Sequence, residues 1–554
     1  MAKIIYNGKI YLKENSFCEA LIIDNGRIAA TGSAREILDA APAGAEKIDA
    51  AGTLVLPAFH DSHLHLMWVG RRAGGIEAAG AKSIDEVISR GRELIAALKP
   101  PPGTYIQGAG VNPDLFSEGE KRELRREDID KISTEYPVIL SRHCGHTIYC
   151  NSAALRLAGF GDSAPDLEGG TIEKDVDGRP TGVFKENANA LVRKPMPAPS
   201  RSDMKGHLRL AMKKAHSLGI SSCGSYDTGG PDFGNVLQVY RETYDEFLEA
   251  GSPGLRVTMQ CGISTREDML NALLNRGKAI LWEDPRRKSP SEDSPWGVFL
   301  KIGSVKLFAD GTLGGHTAWM RRPYLDKSET CGFPVLAQAD LNRYVQKASA
   351  GGMQVLVHAI GDAGIDAAIS AFERVIPPGI NSLRHGIIHC QISSPDLLRR
   401  MAESKILALV QPVFLADDMH ILESRVGASL ASTSYAWGAM HKLGIPVSYS
   451  SDAPVSPPDP LANIEWAVTR RDCRAENSEC FYPGERVDIQ TAIEACTSAS
   501  VFANFNENVL GRIAPGHYAD LVFLDRDILA IAPEEIHKVK VLRTICAGET
   551  VYEM

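Results

Sequence analysis

The sequence predicts an α/β protein whose largest part is a parallel (β/α)8 barrel. Three observations support this fold class. Eight short apolar runs alternate with helix-length segments, strand-like runs cluster at both ends of the chain, and one connection between the runs is far longer than a loop. At 554 residues, the chain also exceeds what one hydrophobic core usually organises, so at least one smaller domain is expected.

The eight apolar runs mostly begin roughly 30 to 50 residues apart, a spacing that suits one strand–helix crossover with its loops. In chain order they are LVLPAFHD, GISSCGSYD, LRVTMQCG, GSVKLFAD, QVLVHAIGD, HGIIHCQ, ILALVQP and IPVSYSSD. Segments such as ADLNRYVQKASAGG and DAAISAFERVI separate them and have the length of helices. We interpret the apolar stretch TLVLPAF as the first barrel strand.

Both ends of the chain carry short β patterns, such as EALIIDNGRIAATG near the start and ADLVFLDRDIL near the finish. The pair Asn25-Gly26 is a strong hairpin signal. Neither end has enough strands to be stable alone, so we expect both to pair into one small sheet domain. Between the first and second runs, about 150 residues form a connection too long for a loop, which indicates an inserted subdomain with more β structure.

Charge and composition restrict the classes of partner. The net charge is −9, with acidic and basic residues mixed along the chain, which argues against nucleic acid or an anionic membrane. The chain shows no secretory signal and no membrane-spanning run of ~20 apolar residues. Eleven scattered cysteines without a CxxC pair indicate reduced thiols. We therefore expect a soluble, cytoplasmic protein that acts on a small molecule.

Residue types that bind metals stand at the ends of several runs. In PAFHDSHLHL, the alternation of side chains along a strand places Asp61, His63 and His65 on one face and His60 on the other. Later runs end on His358, His389 and Asp452. Because the carboxyl ends of barrel strands open onto one face, these side chains can meet there. Imidazole and carboxylate suit zinc and similar ions, although a lone His-x-His pair is also common in ordinary cores.

Lys306 interrupts the otherwise apolar run GSVKLFAD. By alternation it shares a face with Phe308 and Asp310. A buried ammonium group is costly unless it is paired or chemically changed. The two alternatives are an ion pair with Asp310 and a carbamate formed with carbon dioxide, which would make the lysine a metal ligand.

Eight segments, in this order, resemble the metal-dependent amidohydrolase superfamily, in particular its amidohydrolase 3 branch with the N-substituted formamide deformylases. They are PAFHDSHLHL, RHCGHTIYCNSAAL, GGTIEKDVDGRPTGVFKE, GSVKLFADGTLGGHTA, VLVHAIGDAGID, RHGIIHCQ, YSSDAPVSPPDPL and GRIAPGHYADLVFLDRD. The resemblance implies a distorted (β/α)8 TIM barrel with a small β-sandwich from both termini. We place the sandwich at residues 1–56 and 507–554 and the barrel at 57–506, with an insertion at about 70–215 between barrel strands 1 and 2.

The resemblance also implies one or two divalent metal ions, with zinc as the first choice. It assigns His63 and His65 to the more buried ion, His358 and His389 to a second position, and a Lys306 carbamate, made with carbon dioxide, to a bridging or supporting role. Asp452 is implied to be both a ligand and the general base. Asp61, Asp310 and Asp362 are expected to support the ligands, although Asp362 could equally cap the helix that follows.

Four further residues are candidates for substrate contact: Arg142, His146, His316 and Trp437. Arg142 and His146 could instead fix the insertion, with Asn151 or Ser152 capping a helix, and Trp437 could be plain packing. Where relatives read Gly-Ser-Arg-Thr-Ala, this chain has His316 in GGHTA, and it has Ile388 where they have a glutamate before the histidine. Substrate specificity therefore does not transfer from the resemblance.

The predicted activity is hydrolysis of a non-peptide C–N bond in an amide, N-formyl compound or cyclic amide. A metal-generated hydroxide would attack the carbonyl, and Asp452 would accept its proton. One alternative is a metal-dependent deaminase of an aminated heterocycle, against which Lys306 weighs. Another is a catalytically silent barrel kept for binding or regulation, against which the complete ligand set weighs. A homodimer is the candidate assembly.

Overall fold

The computed structural model describes residues 2–117, 119, 121–142, 147–161, 163–165, 167, 170–186, 188–229, 233–263, 266–286, 294–475 and 478–554. The chain forms two compact units. The first comprises Met1–Leu66 and Met212–Met554, and the second comprises Met67–Ala211.

Within its described residues, the first unit contains eight parallel strands in one sheet, which confirms the predicted barrel. We number them barrel strands 1 to 8 in chain order: Phe59–Leu64, Ile220–Ser225, Arg256–Gly262, Val298–Phe308, Gln354–Ala359, Gly386–His389, Leu407–Val410 and Val447–Tyr449. Each strand pairs with the next in chain order. Two backbone hydrogen bonds then connect the ends of strands 8 and 1, from Asp452 N to His63 O (2.9 Å) and from His65 N to Ala453 O (2.7 Å). The barrel is therefore nearly closed.

One strand of this sheet is absent from the sequence prediction. Ile280–Glu283 pairs antiparallel with barrel strand 4, which is unusually long at 11 residues. The helices of the first unit and its junctions are Ala34–Asp39, Leu66–Ala73, Arg201–Ser217, Phe233–Glu249, Glu267–Arg276, Gln338–Ala350, Asp362–Phe372, Pro395–Glu403, Leu415–Asp418, Leu422–Val426, Ala428–Ala431, Trp437–Lys442, Pro460–Thr469, Ile489–Cys496 and Ser498–Ala503. Short 3-10 turns are Pro412–Phe414, Pro483–Glu485 and Pro533–Lys538.

The barrel helix Gln338–Ala350 is amphipathic. Gln338–Ala350 buries Leu341, Tyr344, Val345 and Ala348. These positions follow the i, i+3, i+4, i+7 spacing of a single helix face, so burial of that face stabilises the helix more than its intrinsic propensity does.

The described part of the first unit has two further sheets, and the six-stranded one combines strands from both ends of the chain. One has the order Arg27–Gly32, Ala20–Asp24, Lys3–Tyr6, Glu46–Asp49; the other has the order Glu549–Glu553, Val541–Cys546, Leu521–Leu524, Leu54–Pro57, Lys9–Lys13, Ser16–Cys18. Apolar residues of both sheets share one core, including Ile5, Leu21, Val55 and Phe523. The predicted hairpin at Asn25-Gly26 is confirmed, with φ of 48° and 74° as a type I′ turn requires.

The interpretation of TLVLPAF as the first barrel strand is wrong. Leu54–Pro57 belongs to the terminal sheets, where it pairs antiparallel with Leu521–Leu524, and barrel strand 1 begins at Phe59. Both strands are buried on both faces. The apolar pattern therefore continues across the point, at Ala58, where the chain passes from one sheet to the next.

The second unit contains a sheet of six strands in its described residues. Their order is Gly170–Lys174, Pro180–Glu186, Thr147–Cys150, Val138–Arg142, Ile106–Val111 and Ile76–Glu77. Its helices are Ile84–Leu98, Arg126–Asp130, Ser152–Leu157 and Asn189–Arg193, with a 3-10 turn at Pro113–Leu115. Asn151 caps Ser152–Leu157, because its side chain accepts a hydrogen bond from Ala154 N.

None of the helices in the described part of the chain combines the length and the apolar composition that crossing a membrane requires.

Candidate metal centre

Three side chains converge at the carboxyl ends of barrel strands 1 and 8. His63 Nε2 and His65 Nε2 each lie 3.2 Å from Asp452 Oδ1. The ligand-type atoms of all three residues lie within 4.8 Å of one another, as a shared metal ion requires. Asp452 has a φ of 53°, in the left-handed region that residues other than glycine seldom adopt. The two backbone hydrogen bonds that connect strands 8 and 1, from Asp452 N to His63 O and from His65 N to Ala453 O, also hold the three residues together.

A second pair of imidazoles adjoins the first. The ring centroids of His358 and His389 are 4.4 Å apart, and those of His389 and His63 are 6.1 Å apart. Burial is the main cause that lowers the pKa of His358, to about 3, and that of His389, well below its ordinary value. The four predicted imidazole ligands thus form one contiguous group, in which His63, His358 and His389 are buried and His65 is partly buried.

Each of these imidazoles directs one ring nitrogen at an oxygen that can only accept a hydrogen bond. The pairs are His63 Nδ1 with Gln260 Oε1 (2.5 Å), His65 Nδ1 with Tyr226 O (3.0 Å), His358 Nε2 with Gly311 O (2.9 Å) and His389 Nδ1 with Gln411 Oε1 (2.8 Å). The nitrogen facing such an oxygen carries the proton in a neutral imidazole, so the other nitrogen presents a lone pair.

The protonation of these ring nitrogens determines whether a cation fits the site. With Nδ1 protonated on His63 and His65, three lone-pair atoms converge: the two Nε2 atoms and Asp452 Oδ1. Burial, with Lys306 adding to it, lowers the pKa of His63 to about 4, so protonation does not resolve the conflict at neutral pH. Asp452 Oδ1 is buried without a hydrogen-bond partner among the described residues. A cation satisfies all three atoms.

Lys306 lies in the same region. Its side-chain amine is buried and has no hydrogen-bond partner in the described part of the chain. Its Nζ is 4.9 Å from the ring centroid of Phe308 and 6.0 Å from that of Tyr226. Burial lowers its pKa to about 7, an effect that Asp452 opposes. The alternative of an ion pair with Asp310 is not realised, because the carboxylate of Asp310 instead accepts the N–H groups of Ile360, Gly361 and Trp319 at 2.8 to 3.0 Å.

The other predicted supporting residues hold backbone segments. Asp61 accepts hydrogen bonds from Ser451 N, from Ser451 Oγ (2.5 Å) and from His63 N (3.1 Å). Asp362 accepts the N–H of Arg321 at 2.8 Å and so fixes a loop, while Gly361 is the N-cap of the helix that begins at Asp362.

His60 lies outside the ligand group. Its Nδ1 is 2.7 Å from Ser222 Oγ, and its Nε2 is 2.7 Å from Asn504 Nδ2. The His60 imidazole therefore hydrogen-bonds to Ser222 and Asn504 and not to the ligand group, as expected for a side chain on the opposite face of strand 1.

The structure describes three of the four residues predicted to contact the substrate. His146 lies outside the described residues. Within the second unit, Arg142 forms ion pairs with Glu123 (2.5 Å) and Asp114 (2.9 Å). The structure places His316 Nε2 3.0 Å from Asp326 Oδ2.

Trp437 is buried among protein side chains. Its side chain is 1% exposed, and the guanidinium of Arg470 lies 4.5 Å from its ring centroid. These contacts match the packing alternative, and a substrate contact by Trp437 stays a prediction. Ile388, where relatives carry a glutamate, is likewise buried in an apolar cluster with Leu356 and Leu409.

The sequence analysis missed Gln260 and Gln411. Each stands near the carboxyl end of an apolar barrel strand, in MQCG and LVQP, and this position is the one signal that could have identified them.

The barrel and its His-His-Asp cluster define the fold of a metal-dependent hydrolase. The sequence profile of the amidohydrolase family matches residues 46–552. The chain is 31% identical over 556 residues to YtcJ of Bacillus subtilis (strain 168), which carries the name of an amidohydrolase, with 100% of both chains covered. It is 25% identical over 563 residues to N-substituted formamide deformylase of Arthrobacter pascens, covering 97% of this chain and 96% of the relative.

Among solved structures, an uncharacterized metal-dependent hydrolase from Pyrococcus furiosus is similar, with a TM-score of 0.73 and 29% identity. The match covers 96% of this chain and 100% of that one. The chain therefore belongs to the amidohydrolase family and is a hydrolase of that superfamily.

Proposed function

We propose that this protein is a metal-dependent hydrolase of a non-peptide C–N bond in a small molecule, with an amide, an N-formyl compound or a cyclic amide as substrate. The observation that carries the proposal is the convergence of three acceptor atoms, from His63, His65 and Asp452, an arrangement that a cation satisfies. The similarity to a protein named N-substituted formamide deformylase supports the choice of bond.

His63, His65 and Asp452 would hold one metal ion, and His358 and His389 would provide a second position. Zinc is the first choice, because neutral imidazole and carboxylate are its usual ligands. When bound, such an ion supplies Lewis acidity, which lowers the pKa of water and polarises a carbonyl group.

Lys306 has the properties that carbamate formation needs. With a pKa of about 7, a substantial fraction of the amine is neutral near pH 7. The neutral nitrogen forms an N–C bond with carbon dioxide and loses a proton, giving an anionic carbamate. This change replaces an unpartnered buried ammonium by an oxygen ligand for cations, and thereby removes the cost of burying the positive charge.

Asp452 would move the proton during hydrolysis. Its Oδ1 faces His63 and His65, which leaves Oδ2 to accept a proton from the attacking water. The same oxygen would then donate that proton to the departing nitrogen, so the carboxylate is regenerated at the end of each cycle.

The test is a substrate screen with controlled metal content. Zinc-loaded protein is assayed against N-acyl, N-formyl and cyclic amides, and release of amine and carboxylate is measured. We expect hydrolysis of at least one class, loss of activity with a chelator, and recovery with zinc. A protein that holds less than ~0.2 metal per chain after reconstitution would contradict the proposal. Release of ammonia from aminated heterocycles without a carboxylate product would point to the deaminase instead.

The Asp452→Asn variant separates metal binding from proton transfer. The amide keeps an oxygen ligand but is a poor base, so we expect near-normal zinc content and a kcat lower by about 100-fold or more. Asp366→Asn is the control, because that carboxylate pairs with Arg400 at 2.6 Å and has no contact with the imidazoles. Undiminished turnover in Asp452→Asn would remove Asp452 from this role.

A further inference from the structure

Two buried glutamines contact the imidazoles of the candidate metal centre. Gln260 lies in barrel strand 3 and is 0% exposed, and Gln411 directly follows barrel strand 7 and is 2% exposed. We propose that Gln260 and Gln411 are positioning residues that fix which ring nitrogen of His63 and His389 is free to bind a metal ion. This inference rests on the proposed function.

The orientation of the Gln260 amide is determined by its second contact. Its Nε2 donates to Ser62 O at 2.8 Å, and a carbonyl oxygen can only accept. The amide oxygen must therefore face His63 Nδ1, 2.5 Å away, and that nitrogen must carry the proton. Ser62 directly precedes His63 in barrel strand 1, so the strand that carries the ligand also orients the ligand's partner.

The Gln411 amide has a similar but more adaptable environment. Its Nε2 donates to Ser450 Oγ at 2.7 Å and, over a longer distance of 3.2 Å, to Leu409 O. The Leu409 carbonyl sets the same direction, with Oε1 2.8 Å from His389 Nδ1. The hydroxyl of Ser450 differs from a carbonyl because it can rotate and donate instead of accept.

The consequence for metal binding is pre-organisation. With Nδ1 protonated and hydrogen-bonded, each imidazole presents only its Nε2 lone pair and cannot turn without breaking the bond. An amide achieves this without adding negative charge beside the ligand. Loss of such a partner typically weakens metal affinity by about 10- to 100-fold.

The proposal makes a prediction that simple packing does not. A glutamate at position 411 can still accept from His389, and Ser450 Oγ can turn to donate to it. The Leu409 carbonyl, the other acceptor that Gln411 contacts, lies at the longer distance of 3.2 Å. A glutamate at position 260 faces Ser62 O, so two acceptors would meet. A space-filling role predicts equal effects of the two substitutions, whereas a positioning role predicts that Gln260→Glu is much more harmful.

The experiment measures zinc affinity by competition with a chromophoric chelator, and it also records the absorption spectrum of the cobalt(II) form. The variants are Gln260→Met, Gln411→Met, Gln260→Glu and Gln411→Glu. Gln354→Met is the matched control, because Gln354 is 1% exposed and donates to Arg384 O and Ala503 O, away from the imidazoles. Melting temperatures of the metal-free proteins account for any general loss of stability.

We expect both methionine variants to bind zinc about tenfold or more weakly than Gln354→Met, with an altered cobalt spectrum. Gln411→Glu should stay within about threefold of the unaltered protein, while Gln260→Glu should lose about tenfold or more. Methionine variants with the affinity of the control, or two glutamate variants with equal losses, would overturn the inference. Failure of the unaltered protein to bind zinc would instead overturn the proposed function.

Discussion

Asp61 links the two barrel strands that hold the first three candidate ligands. Its carboxylate receives hydrogen bonds from Ser451 N, Ser451 Oγ and His63 N, and Ser451 directly precedes Asp452. Burial raises the pKa of Asp61 to about 7 despite these donors. Asp61 thus acts together with the backbone hydrogen bonds between strands 8 and 1 in holding Asp452 beside the imidazoles.

Replacing Asp61 by alanine should damage both the fold and the metal site. Two buried N–H groups, of His63 and Ser451, would lose their acceptor, so we expect the free energy of unfolding to fall by about 1–3 kcal/mol. Zinc affinity should fall as well, because Asp452 loses its backbone support. Denaturant unfolding and chelator competition measure the two effects.

Asp488→Ala provides the comparison for Asp61→Ala. Asp488 caps the helix Ile489–Cys496, so its loss should cost about 1 kcal/mol and leave zinc affinity unchanged. If the two variants bound zinc equally well, the role of Asp61 would be purely structural.

At the residue scale, position along a strand is readable from the sequence, but the partner of a buried amide is not. His63, His65 and Asp452 meet because they stand at the carboxyl ends of strands 1 and 8, which the apolar runs predict. Gln260, Gln411 and Gln354 are all buried glutamines of barrel strands or their ends. Gln260 and Gln411, near the carboxyl ends of their strands, each bond an imidazole, whereas Gln354, the first residue of its strand, bonds backbone carbonyls. Position along the strand separates these cases, but the particular partner of each amide depends on neighbouring strands and cannot be read from the local sequence. The metal-binding roles themselves remain predictions.

Among the structural elements, the helix Asp362–Phe372 begins against a buried carboxylate. A Cβ added to Gly364 would lie 2.6 Å from Asp310 Oδ2. Asp310 in turn holds the N–H groups of Ile360, Gly361 and Trp319. The helix can approach barrel strand 4 this closely only because position 364 has no side chain.

Gly364→Ala should therefore destabilise the protein, by about 1–3 kcal/mol, because the added methyl group overpacks a buried site. Gly234→Ala is the matched control. Gly234 also lies at the start of a helix, Phe233–Glu249, and its added Cβ would meet no described atom within 4 Å. Alanine there should leave the free energy of unfolding unchanged or raise it by up to ~1 kcal/mol. Urea unfolding of the two variants checks the difference, and equal shifts would refute the steric argument.

At the element scale, the apolar runs predict seven of the eight barrel strands in place and misplace the first. The physical reason is that Leu54–Pro57 and Phe59–Leu64 are both buried on both faces, so no polar residue marks the change of sheet. The strand Ile280–Glu283 escapes prediction because its burial is only partial and a polar stretch of sequence follows it.

For the whole molecule, three buried histidines outside the candidate site make the fold sensitive to acid. Burial lowers the pKa of His60 to about 3 and those of His216 and His385 to about 4, from an ordinary value of 6.5. At a pH between the lowered pKa values and the ordinary value of 6.5, the unfolded chain binds more protons than the folded protein. Stability is therefore complete above pH 6.5 and declines as the pH falls towards 4.

His385→Gln should reduce this dependence on pH. Nδ1 of His385 accepts the N–H of Val355 at 3.0 Å, which a glutamine oxygen can also do. Lowering the pH from 7.5 to 5 should cost the variant about 2 kcal/mol less of unfolding free energy than the unaltered protein. Urea unfolding of the metal-free proteins at both pH values provides the measurement, and parallel declines would contradict the assignment.

The fold class of the whole molecule is predictable because every apolar run contributes to it, so one misplaced strand does not change the result. The boundaries of the domains stay a prediction. They depend on contacts between residues at opposite ends of the chain, and such contacts leave no periodic pattern in either segment.

The pairing of Leu54–Pro57 with Leu521–Leu524 imposes an order on biosynthesis. Leu54–Pro57 emerges from the ribosome just before barrel strand 1, whereas its partner emerges only after all eight barrel strands. During that interval one edge of Leu54–Pro57 has unpaired N–H and C=O groups, a recognised risk for aggregation. The nascent barrel must therefore assemble beside an unfinished sheet, which a segment translated after the barrel completes.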